Sequence, residues 1–270
     1  MVLDFTNPFF TEVARGVETA ATGAGFHVLL CNSGDDEVRE IELLRSLEKS
    51  ALAGLIITPA ETRILDYLDR LRRGGMPVVL LDHPAEDYEI SSVAVDNIRG
   101  GEMVGEYLLS LGHETFAFIT GPLSIPQCAD RRAGFHAALE RRGINPSKAV
   151  EEHVMAGMNP REGQLATDRI VSSRKPPRGI FCANDLMALG CLQTLTERGY
   201  SVPQDFSVFG YDDIALMSNL ETPLSTMRQP KYELGHTAAR FLIEEIEGRR
   251  MVPQHQMFTP QLVVRASTGR

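Results

Sequence analysis

The sequence predicts an α/β protein with parallel sheets, organised as two doubly wound halves. Short apolar runs alternate with amphipathic stretches along the whole chain, which indicates right-handed βαβ units. The apolar runs are nearly continuous, as expected of strands that are covered on both faces. The 270 residues are enough for one large domain or two moderate ones.

The predicted strands are short, rich in Val, Ile or Phe, and bounded by turn residues. They are FHVLLC (26–31), AGLIIT (53–58), PVVLL (77–81), SVAV (92–95), FAFIT (116–120), GIFCA (179–183) and SVFGY (207–211).

The predicted helices lie between these runs and place apolar residues on one face. In the stretch from Glu12 to Gly23, for example, Val13, Val17 and Ala20 share a face. The GAG of residues 23–25 follows this helix and precedes a strand, so it is interpreted as a helix C-cap and not as a dinucleotide loop. The other predicted helices span 37–49, 63–73, 99–111, 132–142, 161–172, 185–198 and 231–247.

The boundary between the halves is not marked by a Gly/Ser/Pro-rich linker, so direct crossovers must join them. We expect the first crossover near Val95-Asp96-Asn97, where a strand runs straight into a helix that carries Gly100 and Gly101.

Composition and charge exclude several classes of protein. Hydrophobic residues make up 43% and charged residues 23%, which is typical of globular domains. No apolar run approaches the roughly 20 residues of a membrane span, and the N-terminus lacks the pattern of a secretory signal. A net charge of −9 without a Lys/Arg block makes the chain a poor DNA binder by itself.

The four cysteines, Cys31, Cys128, Cys182 and Cys191, form no CxxC and no Cys/His ligand spacing. Cys182 and Cys191 lie in apolar patterns and are predicted to be buried, reduced side chains. Unpaired thiols favour a reducing compartment, and the scattered histidines predict no metal site.

Candidate binding residues follow the predicted strands, because ligands of open parallel sheets lie beyond the carboxyl ends of the strands. The polar groups there are planar and can make two hydrogen bonds in fixed geometry, which suits vicinal hydroxyls. Two aromatic rings at the same edge match the C–H face of a sugar. The candidates are Asn7, Phe9, Phe10, Asp82, Arg131, Asn184, Asp212 and Gln229.

Five of the candidates also have a structural alternative. Phe9 and Phe10 are compatible with a place in the core, and Asp82 with a turn before His83-Pro84. Arg131 is compatible with a solvated helix position, and Gln229 with a plain loop residue. Their joint placement at strand ends favours a shared site.

Two pairs of adjacent polar residues divide between binding and capping in this interpretation. In FCANDLMALG, Asn184 is the first residue past a strand and faces a cleft, while Asp185 caps the helix that follows. By the same logic Asp212 faces the cleft and Asp213 caps. No GxxxxGK[ST], GxSxG or HExxH motif occurs, so no enzyme and no cofactor are predicted.

The motifs taken together resemble the effector-binding core of the LacI/GalR family of bacterial transcription regulators. They are NPFFTEVARGVE, GLIITPA, VVLLD, VDNIRGGEMVGEYLLSLGH, ITGP…RRAGF, FCANDLMALGCLQTL, VPQDFSVFGYDD, TPLSTMRQPKYELG and LVVRASTG. The resemblance implies the fold of type I periplasmic binding proteins: two α/β lobes joined by three crossovers, with the ligand between them. Carried over, one lobe comprises 1–96 and 229–254, and the other comprises 97–228 and 255–270.

The candidate residues resemble the site of ribose-binding members of this superfamily, including ribose repressors. The matching elements are Asn-Pro-Phe-Phe, an Asp after the fourth strand, the Arg of RxxGF, the Asn of the ND pair, the Asp of G-[YF]-D and the Gln before Pro. One departure is Met158, in GMNPREG, where such proteins often carry a further aromatic; it is a possible ligand contact. His83 likewise stands at a position that varies among pentose binders.

The resemblance implies a cytoplasmic, dimeric sugar-sensing repressor for ribose or a related pentose, without a cofactor or a membrane partner. Operator DNA is expected to be bound by a helix-turn-helix headpiece that is absent from this chain, which begins inside the expected first strand. Two alternatives remain open, namely a periplasmic sugar-binding protein of a transport system and a sugar-modifying enzyme.

Overall fold

The computed structural model describes residues 7–33, 37–59, 64–85 and 88–269. The chain forms two compact units. Unit 1 comprises the described residues up to Val95 together with Pro230–Phe258, and unit 2 comprises Asp96–Gln229 with the described residues from Thr259 onward. No helix among the described residues is long and apolar enough to cross a membrane.

Unit 1 is a parallel sheet flanked by helices. Its strands follow the order β1-β2-β3-β9 within the described residues, and all three pairings are parallel. Its elements are α1 (Pro8–Gly23), α2 (Glu37–Glu48), β1 (Leu55–Ile57), α3 (Leu65–Arg73), β2 (Val78–Leu81), β3 (Ser91–Val95), α9 (Lys231–Ile246) and β9 (His255–Phe258).

Unit 2 contains a larger sheet of order β10-β8-β7-β6-β4-β5, in which only β10 is antiparallel to its neighbour among the described strands. A 3-10 helix, Ala215–Ser218, follows β7. The other elements are α4 (Asn97–Ser110), β4 (Phe116–Thr120), α5 (Pro126–Arg141), α6 (Pro146–Ala149), β5 (Val150–Val154), α7 (Pro160–Val171), β6 (Gly179–Cys182), α8 (Asp185–Glu197), β7 (Ser207–Asp212), β8 (Ser225–Arg228) and β10 (Gln261–Val263).

Three helix pairs cross at reciprocal glycines. In the α4–α5 pair, a Cβ on Gly101 would lie 2.1 Å from the carbonyl oxygen of Arg131, and one on Gly134 would lie 1.9 Å from that of Ile98. Gly16 and Gly235 make the same arrangement between α1 and α9, and Gly163 and Gly190 make it between α7 and α8. Because these distances leave no room for a methyl group, glycine is required for the helices to approach so closely.

The predicted helices are all present, with ends shifted by a few residues, but one predicted strand is wrong. Residues 26–31 belong to no strand among the described residues. A β-strand needs a neighbouring strand with which it forms backbone hydrogen bonds, and an apolar run by itself does not specify that neighbour. The segment instead lines an apolar pocket of about 160 Å³ that is bordered by α1, α9 and β1.

Three expected lobe boundaries differ from the observed ones. Asp96 and Gln229, which were expected in the first lobe, belong to unit 2, and the expected boundary at residue 254 lies too early. β9 (His255–Phe258) pairs in parallel with β3, with Ser92 opposite His255 and Val95 opposite Phe258. These residues therefore belong to unit 1 and not to the second lobe. The short exposed strand β9 carries no strong apolar pattern, and only its pairing reveals its place.

Candidate functional site

Asn7, Phe9 and Phe10 of unit 1 lie at and just after the start of α1. Asn7 is 8% exposed and is the N-cap, because its Oδ1 accepts a hydrogen bond from the backbone N–H of Phe9 at 3.0 Å. Pro8 at the first helical position fits the start of the helix. The Phe9 and Phe10 rings pack edge to face with centroids 5.0 Å apart. Both rings are buried among the core side chains of unit 1, which supports the core alternative for these two residues.

Asp82 lies directly after β2 and is 6% exposed. Its φ of 51° is in the left-handed region, where Asp is tolerated better than most residues. The adjacent His83 is 5% exposed, and burial lowers the pKa of its imidazole. The end of β2 therefore presents a buried carboxyl group beside a histidine whose neutral form is favoured.

Arg131 of unit 2 is a buried residue of α5 and not the solvated helix position that the sequence left open. It is 3% exposed. Its Nε donates to Oδ1 of Asn97 at 2.8 Å, and its Nη1 donates to the carbonyl oxygen of Ala183 at 2.6 Å. The guanidinium carbon lies 3.7 Å from the centre of the Tyr211 ring. Three structural elements of unit 2 therefore fix the plane of this guanidinium.

Asp212 and Gln229 lie at the ends of the neighbouring strands β7 and β8. They are 3% and 2% exposed, and Gln229 Nε2 donates to Asp212 Oδ1 at 2.7 Å. Within the described part of the chain, Gln229 Oε1 has no hydrogen-bond partner. Asp212 has a φ of 120°, a conformation that costs free energy and that typically persists at functional sites.

Asn184 has both a structural contact and a place near Met158. Its Oδ1 accepts from the backbone N–H of Met187 at 2.8 Å, and its Nδ2 donates to the carbonyl oxygen of Met158 at 2.9 Å. Asn184 is thus the N-cap of α8. The side chain of Met158 packs against Gly121 and lies 3.5 Å from Cys128, measured between the two sulfur atoms.

The capping roles expected for Asp185 and Asp213 are wrong. Asp185 is fully buried, and its carboxylate accepts from Thr226 Oγ1 at 2.6 Å and from Ile214 N at 2.9 Å. Burial and the nearby Asp212 raise the pKa of Asp185 well above its usual value. A side chain at the start of a helix can cap it only if it turns back towards the first turn. The side chain of Asp185 instead accepts hydrogen bonds from Thr226 in β8 and from Ile214, which follows β7.

Asp213, with a φ of 51°, forms ion pairs with Arg228 and Arg265, each at 2.6 Å. Burial opposes its ionisation, but the hydrogen bonds from Arg265 and Arg228 outweigh burial and lower the pKa of Asp213. Asp185 and Asp213 together anchor the turn that carries Asp212, from both sides.

Asp82 in unit 1 and Asn184, Asp212 and Gln229 in unit 2 follow the carboxyl ends of parallel strands. Asn7 lies at the start of α1, and Arg131 lies in α5 with its side chain directed to Ala183 and Tyr211. Sequence reasoning missed Asn97 and Tyr211, which hold Arg131; the available signal was their position at a strand end, shared with the chosen residues. No cluster of three or more metal-ligating side chains occurs among the described residues.

Comparison with known proteins identifies the class of this fold. The family of periplasmic binding protein-like domains matches residues 106–268. The chain is 35% identical to the ribose operon repressor of Escherichia coli K12 over 262 residues, which cover 97% of this chain and 79% of that protein. It is 31% identical to the repressor PurR of Photobacterium profundum, over 99% of this chain and 79% of that protein.

A solved structure of similar fold is a LacI family transcriptional regulator from Enterococcus faecium with bound ribose. It has a TM-score of 0.89 and 31% identity, and the match covers 99% of this chain and 97% of that chain. A regulator from Enterococcus faecalis, also with bound ribose, has a TM-score of 0.88 and 29% identity, over 99% of this chain and 97% of that one. The chain belongs to the LacI/GalR family of transcriptional regulators, as an effector-binding core.

Proposed function

We propose that this chain senses ribose or a closely related pentose and thereby controls the binding of a repressor to its operator. The observation that carries the proposal is the pair of buried aspartates with positive φ, Asp82 after β2 and Asp212 after β7. Aspartates with positive φ are uncommon, and backbone outliers such as Asp212 cluster at functional sites, where a buried carboxylate can accept hydrogen bonds from a ligand. Hydroxyl groups of a sugar supply such hydrogen bonds.

The proposed ligand contacts come from both units: Asn7, Phe9, Phe10 and Asp82 from unit 1, and Arg131, Asn184, Asp212 and Gln229 from unit 2, with Met158 as a possible further contact. The resemblance to ribose-bound relatives supports the pentose. The rings of Phe9 and Phe10 pack in the core of unit 1, so only their edges are proposed to contact the sugar.

The proposed mechanism is a shift of population between two conformations that bind the sugar with different affinity. A ligand shifts this equilibrium only by the difference between its affinities for the two conformations, so the sugar must bind one conformation more tightly than the other. We propose a cytoplasmic homodimer without catalytic activity, in which the sugar releases the operator. The family places the operator contacts in a helix-turn-helix headpiece, and the net charge of −9 of this chain is consistent with contacts made elsewhere.

A binding screen tests the proposal. The chain is titrated with ribose, arabinose, xylose, galactose, hypoxanthine and cytidine, and the unfolding temperature is recorded. A ligand at 100 times its Kd adds about 2.7 kcal/mol of stability, which shifts the unfolding temperature by several degrees. Stabilisation by a pentose supports the proposal, whereas stabilisation by the purine or the nucleoside alone overturns it.

Two further measurements test the other parts of the proposal. Sedimentation of the chain distinguishes a dimer from a monomer. Chromatography of each sugar after prolonged incubation with the chain should recover it unchanged, whereas a modified sugar would support an enzyme instead.

A further inference from the structure

Asn97 lies at the start of α4, immediately after the Asp96 that caps this helix. Asp96 accepts from the backbone N–H of Arg99 at 2.8 Å, so the cap does not depend on Asn97. Asn97 is 5% exposed, and its Oδ1 accepts the Nε–H of Arg131 at 2.8 Å. The side chain of Asn97 is therefore directed at the buried guanidinium.

The geometry of α4 and α5 holds the two residues at this distance. Ile98, which follows Asn97, places its carbonyl oxygen against Gly134, and Gly101 lies against the carbonyl oxygen of Arg131 itself. The glycine crossing therefore fixes the backbone on both sides of the Asn97–Arg131 hydrogen bond. A contact set by two rigid backbones is formed before any ligand arrives, which lowers the cost of ordering the site.

Two other contacts hold the same guanidinium. The carbonyl of Ala183 accepts from one terminal nitrogen, and the Tyr211 ring lies beneath the guanidinium plane. The hydrogen bond that Nε donates to Asn97 fixes a second nitrogen of the guanidinium. The two hydrogen bonds together set the direction of its remaining N–H groups within the plane that the ring defines.

We propose that Asn97 is a positioning residue for sugar recognition: it fixes the guanidinium of Arg131 so that Arg131 can donate to a sugar hydroxyl. This inference depends on the proposed function, because it assigns Asn97 a role in the same site. Asn97 acts through Arg131 and makes no contact with the sugar.

The test is a set of variants with calorimetric titration of the pentose that the wild-type chain binds. Asn97→Ala removes the acceptor and should weaken binding about tenfold, the effect of one hydrogen bond to a charged group. Asn97→Asp keeps an acceptor oxygen for the Nε–H and should stay within about threefold of the wild type, because the hydrogen bond from Arg131 is retained. Asn145→Ala, which removes the exposed N-cap of α6 in the same unit, should leave the affinity unchanged.

The Arg131→Lys background separates positioning from direct contact. Lysine keeps the charge but has no Nε–H group for Asn97 to hold. In this background Asn97→Ala should cause no further loss of affinity. A further tenfold loss would show that Asn97 contacts the sugar itself, and unchanged affinity of Asn97→Ala in the wild-type background would show that it positions nothing; either result overturns the inference.

An NMR measurement distinguishes failure of this inference from failure of the proposed function. The Nε–H signal of Arg131, assigned by its loss in Arg131→Lys, should be protected from exchange with water and should lose that protection in Asn97→Ala. If the wild type binds no sugar, the proposed function is wrong. The role of Asn97 in sugar recognition is then wrong as well, even if the Nε–H signal of Arg131 is protected. If the wild type binds a pentose but the signal stays protected in Asn97→Ala, only the inference fails.

Discussion

The two units hold their candidate residues by different means. Unit 2 fixes Arg131, Asn184 and Asp212 with side-chain hydrogen bonds that come from several elements of the unit. In unit 1, Asn7 is the N-cap of α1 and Asp82 has a left-handed backbone. We expect substitutions in unit 2 to have the larger effect on binding, because its Asp212 is held at the more costly φ of 120°.

The largest effect is expected from Asp212→Asn. Asparagine has nearly the size and shape of aspartate and retains the oxygen that accepts from Gln229, so the fold should persist. Loss of the carboxylate removes a charge-assisted hydrogen bond, and sugar affinity should fall by about 100-fold, or 2.7 kcal/mol, in calorimetric titration.

The neighbouring Asp213→Asn is the matched control. It breaks the ion pairs with Arg228 and Arg265 that anchor the turn, so it should lower the unfolding temperature and weaken sugar binding far less than Asp212→Asn does. If Asp213→Asn weakened binding as much as Asp212→Asn, the turn as a whole and not the Asp212 carboxylate would determine affinity.

A pair of glycine substitutions compares the packing of the two units. Gly134→Ala and Gly235→Ala each place a methyl group 1.9 Å from a carbonyl oxygen, and each should destabilise the chain by about 1–3 kcal/mol or more. We expect the smaller loss for Gly235→Ala, because α1 and α9 border the apolar pocket and have room to move. α4 and α5 instead pack on filled aromatic core.

Thermal unfolding measures both variants, and Gly23→Ala, with nothing within 4 Å of the added methyl group, is the control. Equal losses of stability in Gly134→Ala and Gly235→Ala would indicate that the pocket does not help α1 and α9 to accommodate the added methyl group.

Asp82→Asn tests the unit 1 half of the site. Asparagine adopts a φ of 51° without difficulty, so stability should be retained. We expect sugar affinity to fall about tenfold, less than for Asp212→Asn, because a φ of 51° is one that Asp tolerates, whereas Asp212 is held at the more costly φ of 120°. Asp69→Asn, which removes ion-pair partners of Arg72 and Arg73 on α3, serves as the control. A loss larger than that of Asp212→Asn would reverse the proposed order of the units.

The smallest effect is a change in pH dependence from Asp185→Asn. Since burial raises the folded-state pKa of Asp185, the native state binds this proton more tightly than the unfolded state. The stabilisation that Asp185 contributes is complete below its unfolded-state pKa, near 4, and declines as pH rises towards its folded-state pKa. Asparagine does not titrate, so the unfolding temperature of the Asp185→Asn variant should fall less between pH 4 and pH 7 than that of the wild type. Parallel pH profiles would contradict a raised pKa.

The sequence located most of the fold because its signals are local. Continuous apolar runs predicted the β2, β4, β6 and β7 strands, and apolar periodicity predicted the long helices within a few residues of their ends. The cysteines predicted to be buried, Cys182 and Cys191, are buried and unpaired. The expected boundary at residue 254 was too early because β9 pairs with the distant β3, and no local pattern specifies such a pairing. The apolar run 26–31 likewise does not specify a neighbouring strand, and it forms none among the described residues.

What the sequence by itself determined is the class of fold, the family and the set of polar residues that follow the strands, since periodicity, turn residues and motifs are properties of consecutive positions. The tertiary structure decided which side chain does what: it made Asn184 the cap, drew Asp185 into the interior and brought Asn97 and Tyr211 to Arg131. These roles depend on hydrogen bonds and close packing between residues far apart in the chain, and such contacts exist only once the sheet and the glycine-crossed helices are assembled.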